Sequence, residues 1–83
     1  MEVSINHVPG FPRFTLEKGK MGGYACIRGY RFTLALLLEK IALGVTADEL
    51  LEDYPFLEPE DISDAIKYAA KVAQRDYYLA VAS

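Results

Sequence analysis

The chain reads as a mainly α domain in which a β-hairpin arm precedes three helices in helix-turn-helix order. Three observations predict this. Residues 13–28 hold two short runs of aromatic and branched residues, "RFTLE" at 13–17 and "YACIR" at 24–28, parted by "KGKMGG", whose three glycines suit a turn. From Thr33 the composition switches to strong helix formers in "TLALLLEKIALG". Two further helical segments follow, the first of them short, with junctions of only a few residues.

Each element has a local reason. Pro9, Gly10 and Pro12 interrupt regular structure, so residues 1–12 are expected as an N-terminal arm, with the hairpin over 13–32. Two strands alone are barely stable in water, so the hairpin must lie on the helices or pair with another chain. Thr33 is a candidate N-cap and Gly44 a stop for the first helix; it is apolar on nearly every side except Glu39 and Lys40, which predicts a central, buried position. "TADEL" is a capping box, Thr46 with Glu49, opening a helix over 47–53 that Pro55 ends. Pro59 stands at a favoured first-turn position of the last helix, followed by acids that its dipole welcomes. That helix sets Ile62, Ala65, Ile66, Ala69 and Ala73 on one face. The trihelical core is thus expected over 33–76 of a single domain, with the apolar "YYLAVAS" of residues 77–83 as a C-terminal tail that continues the helix or docks elsewhere.

Composition narrows the function classes. With one cysteine, Cys26, and one histidine, His7, an internal disulfide and a Cys/His zinc site are excluded, and no metal or cofactor is expected. The longest apolar run, Leu34–Leu38, falls far short of the ~20 residues of a membrane helix. The opening "MEVSIN" lacks the basic leader of a signal peptide, and a free thiol without one predicts a cytoplasmic protein. Catalysis is not expected: Cys26 lies in a predicted strand, His7 on the arm, and "KGKMGG" lacks Walker spacing. The net charge of −3 is unevenly placed. Residues 1–40 carry six bases and three acids, whereas Ile41–Ile66 carries eight acids and no lysine or arginine.

The segment "CIRGYRF" at 26–32 raises the sharpest question, because Arg28 and Arg31 sit among Ile27, Tyr30 and Phe32. Buried arginines need partners. One reading folds Arg28 or Arg31 back onto Asp53, Glu58 or Asp61, the stem lying on Phe32 or Tyr54, with Gly29 supplying a tight backbone turn where strand gives way to helix. A second makes Arg13, Lys18, Lys20, Arg28 and Arg31 a basic ribbon for nucleic acid. Against it, the start of the last helix, which would enter the major groove, carries Glu58, Glu60, Asp61 and Asp64 and no base. Lys67, Lys71 and Arg75 lie further along as a solvated stripe. A third is homodimerisation, the basic half of one chain meeting the acidic half of another.

The run from Arg13 to Ala70 resembles the domain of unknown function 433 family, small prokaryotic proteins classed as antitoxin-like. The likeness rests on Gly22-Gly23, Cys26-Ile27-Arg28-Gly29 with Arg31, the helix ending at Gly44, Thr46 with Glu49-Leu50-Leu51, Tyr54-Pro55, Leu57, Asp61-Ile62, Ala65 and Tyr68-Ala69-Ala70. The chain departs from the usual pattern at Tyr24-Ala25, where lysine-proline is common, and at Tyr30 and Glu58, where threonine is common. The resemblance implies a homeodomain-like trihelical core and dimerisation through the N-terminal strands. It further implies the role of an antitoxin that partners a PIN-type ribonuclease in a toxin–antitoxin system, with binding to its own operator DNA as an accompanying role. A homodimeric interaction module without DNA binding is the alternative.

Overall fold

The order of elements is three strands, then three helices. The computed structural model describes the backbone of residues 6–82 and the side chains of residues 6–75. Strands β1 (Asn6–Val8), β2 (Phe11–Leu16) and β3 (Cys26–Ile27) form an antiparallel sheet in that order, and α1 (Leu34–Ala42), α2 (Ala47–Asp53) and α3 (Pro59–Ala82) follow.

The N-terminal segment corrects the expectation of a plain arm. Residues 6–8 form a strand that pairs with β2, while residues 1–5 lie outside the described part. Val8 and Phe11 are partners across Pro9-Gly10, and Gly10 has φ +84°. Proline followed by a residue of positive φ is what a type II turn requires, so the pair that interrupts one strand also starts the next. Pro12, which has no N–H to donate, falls where the β1–β2 register is irregular, next to the break between His7 and Val8.

The helices end as their local sequence dictates. Thr33 Oγ1 accepts from the Leu36 amide at 3.0 Å and caps α1. Gly44, at φ +92°, closes α1 in a Schellman arrangement, the Val45 amide donating to Lys40 and the Gly44 amide to Ile41. Thr46 and Glu49 form a reciprocal capping box at the start of α2. α3 runs unbroken to Ala82, so the backbone of the expected tail continues the helix; the docking expected of its side chains lies outside the described residues.

The core forms where sheet meets helices. Phe14, Ile27, Leu37, Leu50 and Ala65 are fully buried, with Phe11, Phe32, Leu34, Leu57 and Ile62 nearly so. Phe11 and Phe14 stack at 5.6 Å, and Tyr68 of α3 meets both edge-on. The sheet is therefore held down on α3, which a two-strand hairpin needs for stability. α1 is less central than its composition predicts: Leu34 and Leu37 are buried, but Leu36 and Leu43 are exposed, the latter by 77%. A small three-helix core covers one side of a helix, so an all-round apolar α1 leaves part of its surface open.

Candidate functional site

The junction of sheet and helices is a charged cluster built on one turn. Arg28 and Gly29 follow β3 with φ +44° and +80°, and the Tyr30 amide donates to the Ile27 carbonyl at 2.8 Å. Positive φ at both central positions is the mark of a type I′ turn. Gly29 fits it freely, whereas a side chain in the left-handed region costs about 1–2 kcal/mol at Arg28. The turn is held from both sides. Thr15 Oγ1 accepts the Gly29 amide at 2.9 Å, and Lys20 Nζ donates to the Gly29 carbonyl and to Glu17 at 3.1 Å.

That turn aims Arg28 at Asp61, whose side chain is 0% exposed. Arg28 Nε donates to Asp61 Oδ1 at 3.1 Å and Nη2 to Oδ2 at 3.0 Å, a bidentate pair, while Nη2 also donates to the Phe56 carbonyl. Arg13 Nη1 reaches Asp61 Oδ1 at 3.0 Å and Glu58 Oε1 at 2.7 Å. Asp61 is the third residue of α3, and its Oδ2 accepts the Glu58 amide at 2.8 Å, so one carboxylate caps the helix and ties down the sheet. No buried side-chain polar atom among the described residues lacks a partner.

The electrostatics follow from this packing. Burial pushes the Asp61 carboxyl upward, but hydrogen bonds from Arg28, the Glu58 amide and Arg13 outweigh it and hold the group below the usual carboxylate range. In return Glu58 first, then Asp61, raises the pKa of Arg13, and Asp61 raises that of Arg28. The Arg28 guanidinium lies over the Tyr30 ring at 5.4 Å, and Tyr30 stacks on Phe56 at 4.4 Å.

The other sequence candidates are placed as follows. Arg31, Lys18 and Asp53 are exposed and make no ion pair among the described residues. Of the five bases proposed for nucleic acid, Arg13, Lys20 and Arg28 are engaged inside the chain. His7, Thr15 and Cys26 are register partners in a row across the sheet, so two strand spacings, about 9.6 Å, part His7 from Cys26. Cys26 is buried, with its thiol against the Tyr24 carbonyl at 3.5 Å.

Sequence reasoning did not assign Arg13 to the Asp61 site, although a signal existed. The Phe14–Ile27 pairing sets Arg13 opposite Arg28, and the Arg28 amide donates to the Arg13 carbonyl. Two like charges facing each other across strands are destabilising unless an anion sits between them. Asp61 is that anion. No comparable signal marked Thr15, Lys20 or Phe56, which act through one side-chain or carbonyl oxygen or amine each.

Fold and junction together define a class: a small domain whose N-terminal sheet is clamped to the start of a long helix by two arginines sharing one buried aspartate. The family model described as protein of unknown function (DUF433) matches residues 15–69, and the chain belongs to that family. It is similar to the crystal structure of a DUF433 member protein from Anabaena variabilis, with 33% identity and a TM-score of 0.67, over 82% of this chain and 68% of that one. Comparison with curated proteins gives no match.

Proposed function

We propose that the protein is an antitoxin-like protein-binding domain that acts through contacts with other protein chains, namely a second copy of itself and a PIN-type ribonuclease, and not through DNA. The observation that carries this reading is the fate of the bases. Arg13, Lys20 and Arg28 neutralise Glu17, Glu58 and Asp61 and so have no charge to spare for phosphates.

The short α2 followed by α3 supports a helix-turn-helix reading of the core, with α3 in the recognition position. In that position the first turns present Glu60 and Asp64 to the groove, where they would repel phosphates. Exposed apolar side chains support the protein-binding side of the reading: Tyr24 is 67% exposed, and Leu36 and Leu43 stand open on α1. The reading gives the chain no catalytic role and treats Cys26 as a packing thiol in a cytoplasmic protein.

The test has two arms. The chain is titrated against its own upstream DNA across a salt series, and it is co-purified with a PIN-type nuclease encoded by the adjacent gene. Co-elution with the nuclease and no DNA retention at low salt are expected. Tight DNA binding that weakens steeply with salt overturns the reading, as does failure of the nuclease to co-elute.

A further inference from the structure

The segment that leads into β3 is tied to the start of α1. The Leu34 amide donates to the Ala25 carbonyl at 2.9 Å, and Cys26 bridges to Thr33. Between this segment, α1 and α3 lies an open groove of about 220 Å³, lined by Tyr24, Ala25, Leu34, Ala35, Leu38 and Tyr68. Size and chemistry narrow what it can take. Pockets for small molecules run to about 300–1,000 Å³ and aim several polar groups at the ligand. This groove is smaller, none of its six residues is charged, and all but the two tyrosines are aliphatic. It suits one apolar or aromatic side chain of another protein chain.

The rim of the groove carries such a side chain. Tyr24 is 67% exposed, the most open aromatic ring among the described residues. Its amide donates to the Met21 carbonyl at 3.3 Å, and its ring lies against Gly22, where an added Cβ would stand 3.5 Å from the nearest ring carbon. The ring is therefore placed but left uncovered. A projecting side chain and a hole of its kind lie next to each other on one surface. That is the arrangement of an isologous contact, in which residue i of one copy meets residue j of the other and j meets i. Such a contact sets like surfaces face to face, so charge on them repels. The outward face of α2, with Asp48, Glu49, Glu52 and Asp53 exposed, carries that cost, and the groove does not.

We infer that Tyr24 of each copy fills the groove of a second copy across a two-fold axis, its ring seated on Ala35 and Leu38 and meeting Tyr68. The walls are already in place, so little ordering is needed on contact. One buried aromatic side chain brings about 150–250 Å², and the insertion occurs twice. Met21, in the same turn as Tyr24, and Val72, one turn beyond Tyr68, add apolar surface at 38% and 39% exposure. The whole contact is on the order of 1,000 Å², the low end for a specific interface, so the dimer dissociates on dilution. This inference rests on the protein-binding reading and gives it a specific self-contact in place of the sheet edge, where β1 is only three residues long and irregularly paired.

The experiment is the solution mass of the full chain across a concentration series, by sedimentation equilibrium, for the wild type and three variants. The wild type is expected to pass from monomer to dimer as concentration rises. Tyr24→Ala removes the inserted ring, and Ala35→Glu charges the groove wall at the second residue of α1, where the helix dipole accepts an acid. Each is expected to weaken the dimer by about tenfold or more while keeping the helical circular dichroism of the wild type. Tyr24→Trp keeps an aromatic ring in place and gives the chain its only tryptophan. Its emission is expected to shift to the blue in step with the rise in mass. A monomeric wild type overturns the Tyr24 contact, as does a dimer that survives both Tyr24→Ala and Ala35→Glu. So does a Tyr24→Trp dimer whose emission stays that of an exposed indole, because its copies then meet elsewhere. A chain that fails in any of these ways yet co-elutes with the nuclease leaves the protein-binding reading standing, so the two failures are told apart.

Discussion

The Asp61 junction and the outer face of α3 use the same kinds of side chain with opposite results. At the junction two guanidiniums share a carboxylate that is 0% exposed, and donors and acceptors are matched. A few turns along the same helix, Lys67, Lys71 and Arg75 stand in solvent on one side, and Ile66 and Ala69 are uncovered on the other. A base is therefore not a binding residue by virtue of its charge. What matters is whether the fold has already supplied its counter-charge, and at the junction it has.

The comparison breaks most sharply at Asp61. Asp61→Ala removes the only fully buried carboxylate of the cluster and leaves Arg28, Arg13 and the Glu58 amide without their shared acceptor. A loss of about 3–5 kcal/mol in unfolding free energy is expected by chemical denaturation. Because Asp61 titrates below its unfolded value, its contribution is present above about pH 4 and is lost as pH falls through the folded pKa, both arginines staying charged throughout. Melting temperature against pH should thus fall on the acid side in the wild type and flatten in Asp61→Asn. An equal acid slope in the two proteins would place the titrating group elsewhere.

Next in size is Arg28→Ala, expected to cost about 1.5–3 kcal/mol because Arg13 remains as a second partner for Asp61. Gly29→Ala should cost about 1–2 kcal/mol, read as a lowered urea midpoint. Its added methyl meets nothing closer than Glu17 Oε2 at 3.7 Å, so the loss comes from forcing a side chain into φ +80°. The smallest effect belongs to Arg31→Ala, expected within about 0.5 kcal/mol of the wild type because Arg31 is exposed and unpaired among the described residues. Arg31→Ala as costly as Arg28→Ala would mean that Arg31 meets a partner in an assembly.

Much of this architecture was legible locally. Thr33 capping its helix, the Thr46–Glu49 box and the stop at Gly44 each depend on residues within one turn, and each was readable as such. Pro9-Gly10 was also readable, but as a break. Its second meaning, a turn that brings β1 back onto β2, needs the partner strand, which a local reading does not supply. The Asp61 site divided along the same line. Arg28 and Asp61 could be named as candidates among several arginines and acids, but choosing between Arg28 and Arg31 required the backbone turn that faces one inward and leaves the other in solvent.

Sequence alone settles the order of the three helices, the caps that bound them and the uneven division of charge, because these follow from composition and from steric and hydrogen-bonding rules acting over three or four residues. Folding in three dimensions settles which charges cancel. Arg13 and Asp61 are separated by 48 positions and meet at 3.0 Å only because β2, β3 and the start of α3 converge on one core. Coulomb energy depends on distance and burial, and neither is written in a residue's position along the chain.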